Sequence, residues 1–298
     1  MRVAAIDIGS NSVRLLITDG SGTEFVRDTT VTALGRGVDA TGRFRDDTMA
    51  ATLDVMERYA EAIDLHDVER VRAVATSASR DADNGETLMA AVGDVLGIHP
   101  EIIGGDEEAE LSFAGATSKV TGDPPYLVID IGGGSTEFVL GVSDPAYARS
   151  IDLGSVRLTD RKLPDRPPLG TQLSEAAAHA DAEFSAIALP ATPGTVIGVA
   201  GTFTSLAGIA LGLERYDREA IHETVLSRSA IKELISELSI LTITQTAAIP
   251  ALDPKRAPVV LAGAVLVDRA LLVAGTDRVV VSEYGLLHGL AQRLTMSD

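Results

Sequence analysis

Cysteine and tryptophan are absent from the 298-residue chain, and histidine occurs only 5 times. These absences remove disulfide frameworks, thiolate zinc sites, iron–sulfur clusters and cysteine nucleophiles, and they argue against a histidine-rich metal site. A reducing cytoplasm is the simplest home for such a chain. Positive charge is also scarce: 25 Lys and Arg stand against 43 Asp and Glu, a net charge of −18. The deficit is concentrated early, since residues 1–115 carry 10 Arg, no Lys and 22 Asp plus Glu. A field of that sign excludes general nucleic-acid and anionic-membrane binding, because both need basic surfaces. It suits solubility or a salt-rich cytoplasm, and an anionic substrate would need local arginines, backbone amides and a bound cation to outweigh it. Long apolar runs are missing too. Asp7 interrupts the first apolar stretch before a signal-peptide core can form. Asp268 and Arg269 interrupt the stretch from Val259 to Ala274, which reads as a buried helix and not as a membrane span. A soluble, unexported protein is expected.

What is present is 45% hydrophobic residues, enough for a sizeable core, and a length that suits roughly two domains of about 150 residues. Arg2 to Asp19 reads as a hairpin with a polar tip at Gly9 to Ser12. Helical spacing over Asp46 to Ala62 is followed by a strand, Val71 to Ala75, and by one helix running from Thr76 to about Leu96. Another helix covers Glu107 to Ala116. The pattern then restarts: Tyr126 to Gly141 is again strand, glycine-rich turn and strand. Ile6, Asp7, Ile8 and Gly9 match Ile129, Asp130, Ile131 and Gly132, 123 residues apart. A separation this long predicts two similar domains and not a solenoid. Further helices are predicted at Ser174–Ala188, Thr204–Leu213, Arg228–Ile240, Ala257–Val273 and Tyr284–Leu294, with strands at Thr195–Ala200 and Arg278–Ser282. Lys162 to Gln172, with three prolines, reads as a loop. The domain boundary is placed between Gly115 and Pro125, giving domains 1–117 and 118–298, with the last helix expected to return to the first.

The two turns carry the chemistry. In Asp7-Ile8-Gly9-Ser10-Asn11-Ser12, small residues let main-chain N–H groups approach a ligand while Ser10, Asn11 and Ser12 add side-chain donors, a combination suited to phosphate oxygens. No Gly-Lys-Ser/Thr follows, so this is not a Walker loop. Asp7, at the carboxyl end of a strand, is placed to hold a cation directly or through water. Asp130-Ile131-Gly132-Gly133-Gly134-Ser135-Thr136-Glu137 repeats the design with three glycines and two carboxylates. Two domains that each present such a loop would grip one anion from both sides of a cleft.

At this point the sequence resembles the exopolyphosphatase and guanosine pentaphosphate phosphohydrolase family, within the actin-like ATPase superfamily. The resemblance rests on the two loops, ATSASRDADN (Ala75 to Asn84), GGDEEAELSFAG (Gly104 to Gly115), LGSVRL (Leu153 to Leu158), GVAGTFTSLAG (Gly198 to Gly208) and VSEYGLLHGL (Val281 to Leu290). It implies an α/β fold of two duplicated actin-like (RNase H-like) domains with a cleft between them. It makes Glu108 the catalytic carboxylate and turns Arg80 toward the substrate, where a guanidinium fork suits phosphate. Gly9, Ser10, Asn11, Ser12, Gly132, Gly133, Gly134, Ser135, Gly201 and Thr202 are the other phosphate-binding candidates, with Arg14 and Arg157 as weaker ones. Arg14 alternates with core residues, which leaves open whether it points into the cleft or away from it. Asp130 and Glu137, assisted by Asp7 through water, are the expected Mg2+ ligands, with Mn2+ as an alternative. His222 matches a family position, but a lone His is more often structural. The tail departs from the family pattern, with Leu287 and His288 where Arg-Glu is usual, and Pro258 stands where an acidic residue is common.

The implied activity is release of orthophosphate from the end of inorganic polyphosphate, with short chains expected because the sequence stops before the C-terminal helical domains of longer members. Alternatives are removal of the 5′ γ-phosphate of guanosine pentaphosphate, or a non-catalytic regulator that binds polyphosphate or guanosine tetraphosphate. No aromatic cluster that would stack a guanine stands out. A kinase of the same superfamily is disfavoured by the Glu108 motif. A homodimer is a further expectation.

Overall fold

The computed structural model describes residues 1–296. β1 (Arg2–Ile8), β2 (Ser12–Asp19) and β3 (Glu24–Val31) form an antiparallel meander. After α1 (Val38–Thr41) and α2 (Asp46–Leu65), β4 (Arg70–Ala75) returns parallel to β1. α3 (Ser77–Asp81) and α4 (Gly85–Leu96) lead to β5 (Glu101–Ile102), parallel to β4, and then to α5 (Gly105–Thr117). The second half repeats this plan. β6 (Tyr126–Ile131), β7 (Thr136–Gly141) and β8 (Pro145–Ile151) form a meander, and after α6 (Ser155–Lys162) and α7 (Gln172–Phe184), β9 (Thr195–Val199) pairs parallel to β6. Next come α8 (Ala200–Ala210), α9 (Arg218–Ile221), β10 (Val225–Ser227), α10 (Arg228–Ser239) and α11 (Ile243–Ala247). A 3₁₀ turn (Pro254–Arg256), α12 (Val260–Val273), β11 (Arg278–Val281) and α13 (Leu286–Met296) complete the chain.

The first sheet runs β3-β2-β1-β4-β5 and the second β8-β7-β6-β9-β11-β10. The orders match through five strands, and β10 is an added antiparallel edge. This is the duplicated α/β arrangement expected from the repeat.

Alternation along the central strands decides where the two aspartates go. Ala4, Ile6 and Ile8 lie in one core with Met56 and Leu88, while Val3 and Ala5 face the opposite side, toward Leu286 and Leu290. Asp7 shares the face of Val3 and Ala5. In the second sheet Leu127, Ile129 and Ile131 join the large core under α8 and α12, whereas Val128 packs with Ala109 and Phe113 of α5. Asp130 therefore shares the α5 side. Both aspartates emerge at strand ends into the layer formed by α5 and α13.

That layer is unusually tight. A Cβ on Gly115 would lie 1.9 Å from the Gly285 carbonyl oxygen, and one on Gly289 would lie 2.0 Å from that of Leu111. The α5 helix contacts β8 and α13 contacts β1, so each half's last helix lies against elements of the other half. Gly289→Ala must push the helices apart and is expected to destabilise the fold by about 1–3 kcal/mol, the usual range for overpacking. Urea unfolding checks this, and an unchanged midpoint would contradict the packing described.

Several local expectations are corrected. The helix after Thr76 is two pieces, because Gly85 packs so closely that a Cβ there would sit 2.5 Å from the Ser79 carbonyl oxygen. β3 and β8, the meander edges, were not expected: each mixes polar and apolar residues, and β8 opens with Pro145, as edge strands tolerate. LGSVRL continues into α6, and α8 begins at Ala200 and not Thr204. Residues 163–171 are a loop, as expected. Among the described residues no helix is long and apolar enough to cross a membrane.

Candidate active site

The two turns have the same internal hydrogen bond: Gly9 N–H donates to Ser12 O at 3.1 Å, and Gly132 N–H donates to Ser135 O at 3.1 Å. They face each other directly. A Cβ on Gly133 would lie 2.9 Å from Ser10 Cβ, and one on Gly134 would lie 2.7 Å from Ser77 Oγ. Glycine leaves room at both places for the Ser10 and Ser77 side chains and, at Gly133, for the Asn11 backbone nitrogen. Asp7, Gly9, Ser10, Asn11, Ser12, Glu108, Asp130, Gly132, Gly133, Gly134, Ser135, Gly201 and Thr202 all line the cavity of about 50 Å³ between the loops. Asn11 Nδ2 is buried there without a hydrogen-bond partner.

Hairpin register places the charges. Asp7 is directly opposite Arg14, and Asp130 is directly opposite Glu137. Opposed residues share a face, so Arg14 points into the cleft beside Asp7, with Nη2 2.6 Å from Oδ2. The direction that the sequence left open at Arg14 is thereby decided in favour of the cleft. Counting back from the tip of the predicted hairpin would have paired 7 with 14. The two copies have thus diverged at one equivalent position, basic in the first and acidic in the second.

Glu108 sits in the first turn of α5, 8% exposed. Burial pushes its carboxyl up to about 7, with Arg80 opposing and Asp130 and Asp7 adding to the rise. Arg80 Nη1 donates to Glu108 Oε2 at 3.0 Å and to the Ile103 carbonyl at 2.8 Å. The guanidinium expected on the substrate is therefore held on Glu108, and Arg80 lines neither this cavity nor the larger one described below. Ser112, one turn after Glu108, donates to Asp130 Oδ2 at 2.6 Å, so α5 carries both the carboxylate and a support for the second loop. Glu137, on the same face as Asp130, accepts from Ser150 Oγ at 2.7 Å and lines neither cavity. Burial raises the pKa of Asp7, Asp130 and Glu137 as well.

A chamber of about 590 Å³ opens from the loop cavity and shares Arg14, Asp130, Gly201 and Arg256 with it. Arg256, from the 3₁₀ turn, was not singled out in the sequence. Its Nη2 donates to Ser12 Oγ at 3.1 Å, and no carboxylate lies within ion-pair distance among the described residues. Gly201 makes room for it: a Cβ there would lie 2.0 Å from Arg256 Nη1. The neighbouring Ala200 has φ +67°, a conformation disfavoured for alanine, at the first residue of α8. Thr202 Oγ1 donates to Ile131 O at 2.8 Å and ties α8 to the second loop.

The other chamber cations are already paired. Arg27 binds Glu283 at 2.7 Å, and Arg218 and His288 both bind Glu24. His222, Tyr284 and His288 stack in sequence, with ring centroids 5.0 and 4.4 Å apart, and Arg218 lies over Tyr284. Tyr284 and His288, four residues apart, are thus joined by the distant His222 in a ring cluster that the sequence did not single out.

The profile of the Ppx/GppA phosphatase family matches residues 16–297. The chain belongs to that family. It is 40% identical to Exopolyphosphatase 2 of Mycobacterium tuberculosis over 314 aligned residues, covering 98% of each chain. It superposes on the crystal structure of an exopolyphosphatase-like protein with TM-score 0.95 and 37% identity, covering 99% of each chain. It is 29% identical to the guanosine-5′-triphosphate,3′-diphosphate pyrophosphatase of Vibrio atlanticus, covering 81% of this chain and 50% of that one. As a Ppx/GppA phosphatase the protein is a phosphoanhydride hydrolase.

The site of this Ppx/GppA phosphatase suits a hard divalent cation. Among the described residues neither carboxylate oxygen of Asp7 accepts an aligned hydrogen bond, although both are buried and Oδ2 faces Arg14. Among the described residues no three His, Asp or Glu converge as a metal-binding group. Mg2+ commonly uses one or two carboxylates, keeps several waters and takes its remaining ligands from substrate phosphates, so Asp7 and Asp130 fit it.

Proposed function

We propose that the protein is an exopolyphosphatase that hydrolyses the terminal phosphoanhydride of short inorganic polyphosphate. The observation that carries this reading is the buried Glu108 on the wall of a cavity formed by two facing phosphate loops, beside an Arg256 that has no carboxylate partner among the described residues. The terminal phosphoryl group would lie between the loops, held by Ser10, Asn11, Ser12, Ser135 and the backbone of Gly132 to Gly134. Glu108 accepts a proton from the attacking water. Its oxygen bonds to the terminal phosphorus, the bridging P–O bond breaks, and the bridging oxygen stays on the chain shortened by one phosphate. Most of the acceleration comes from positioning and charge neutralisation. Asp130 and Asp7, the two aspartates that line the loop cavity, would hold Mg2+ or Mn2+, which when bound supplies countercharge to the phosphate oxygens.

Chain length follows from charge. A chamber of about 590 Å³ falls within the range of small-ligand sites, roughly 300–1,000 Å³. The carboxylates on Arg27 and Arg218 leave the strongest uncompensated positive charge at Arg256, beside the loops. Grip is therefore concentrated on the first few phosphates. The second reading, removal of the γ-phosphate of guanosine pentaphosphate, is favoured by the Tyr284 ring cluster, since Tyr284 and His288 line the same chamber.

Orthophosphate release from short polyphosphate, long polyphosphate and guanosine pentaphosphate tests both. The expected result is the highest kcat/KM on short chains, loss of activity on chelation and its return with Mg2+. Preference for the nucleotide would promote the second reading, and tight binding with no release from any substrate would make the protein a regulator.

A further inference from the structure

We propose that Arg157 is a positioning residue, a strut that holds the second phosphate loop in register with the helix that aims Glu108. The inference rests on the hydrolase reading above. Arg157 lies in the first turn of α6, whose start is bonded to the second loop: Ser155 N–H donates to Gly132 O at 2.9 Å, and Val156 N–H to Gly133 O at 2.9 Å. The guanidinium reaches both halves of the molecule. Nε donates to the Gly134 carbonyl at 3.0 Å, Nη1 donates to Asp39 Oδ1 at 3.0 Å, and Nη2 donates to Asp81 Oδ2. Ser77 Oγ lies 3.5 Å from Nη2.

The far end of the strut matters because Asp81 follows Arg80 on the five-residue helix α3. Arg80 donates to Glu108, so a continuous path runs from the Gly134 carbonyl through Arg157 and α3 to the catalytic carboxylate. Arg157 lines neither the loop cavity nor the chamber, so it is not the phosphate ligand that the sequence offered. Its side chain is 13% exposed and its fork is occupied by three acceptors. A guanidinium presents such donors in a fixed plane, whereas a lysine ammonium on a flexible stem cannot reproduce them. Arg161, one turn later, also binds Asp39 but does not touch the loop. It is the natural control, because its loss removes a charge pair between the halves and leaves the loop bond intact.

A reacting group displaced by about 1 Å can cost about 100-fold in rate. Arg157→Ala and Arg157→Lys are accordingly expected to lower kcat by about 30- to 100-fold with KM changed less than about threefold, while Arg161→Ala stays within about threefold in both. Added guanidinium ion at millimolar concentration should restore part of the kcat lost in Arg157→Ala. Unchanged kcat overturns the proposal, and so does a rise in KM at constant kcat, which would make Arg157 a substrate ligand.

A second measurement does not need activity. The cysteine-free sequence permits clean spin labelling at Thr87→Cys on α4 and Ser174→Cys on α7, both exposed. A narrow interdomain distance distribution in the parent that broadens in Arg157→Ala supports the strut; the same distribution in both overturns it. If the unmutated protein releases no orthophosphate, the hydrolase reading fails while the distance measurement still decides whether Arg157 holds the two halves together.

Discussion

Glu108→Gln is expected to lower kcat for orthophosphate release by about 10²- to 10⁴-fold, the range of a lost general base. The amide keeps the shape of the side chain, so binding of the phosphate chain should survive, and an equal loss of binding would count against the assigned role. The pH dependence carries the same assignment. A base must be ionised to accept a proton, and burial holds the Glu108 carboxyl up to about 7. Activity of the unmutated protein should therefore fall as pH drops through the neutral range and level off above it. Because the charge of Arg80 opposes the rise at Glu108, Arg80→Ala should move this acidic limb to higher pH. A limb that stays in place in Arg80→Ala would show that another group sets the profile.

Arg256→Ala should raise KM for short polyphosphate by about 10- to 100-fold. A hydrogen bond to a charged group contributes about 1.5–3 kcal/mol, and each 1.4 kcal/mol is about tenfold in affinity. The effect is expected to be large because Arg27 and Arg218 are neutralised by Glu283 and Glu24 and do not substitute for it. Gly201→Ala offers a second route to the same defect. Its methyl group would lie 2.0 Å from the Arg256 guanidinium and must displace it. Steady-state kinetics on a defined short chain measures both variants, and a KM within about twofold of the parent for Arg256→Ala, well under 1.4 kcal/mol, would place the phosphate chain elsewhere.

The departures from the family pattern at Leu287 and His288 have a structural account. Leu287 joins the apolar layer with Val3 and Leu111, and His288 binds Glu24 at 3.1 Å across the halves. Burial, chiefly, lowers the His288 pKa, with the Glu24 contact opposing. The position therefore takes part in an interdomain contact at the chamber wall, alongside Arg218.

The duplicated loops, their aspartates and the α/β class were legible in the sequence because each is local: a buried apolar strand, a tight turn of small residues and an alternating strand lie within about 16 residues. The matching segments 123 residues apart supplied the duplicated plan of two sheets by the same local signal appearing twice. Glu108 was legible only through its resemblance to a family motif, since acidic residues in a first helical turn are ordinary. The direction of Arg14 stayed open because alternation was applied to one strand, whereas it depends on which residue stands opposite across the turn.

Sequence alone determined the two hairpins, the repeat and the chemical types at the site. Tertiary structure decided which charges remain available. Arg256 has no carboxylate partner and Arg27 has one, yet nothing near either residue in the chain distinguishes them; the difference arises from Glu283, which reaches Arg27 across 256 positions. Tertiary structure also placed Arg80 on Glu108 and Arg157 between the two halves. Ion pairing depends on distance in space, and that distance is set only when the α5–α13 layer brings the two sheets together.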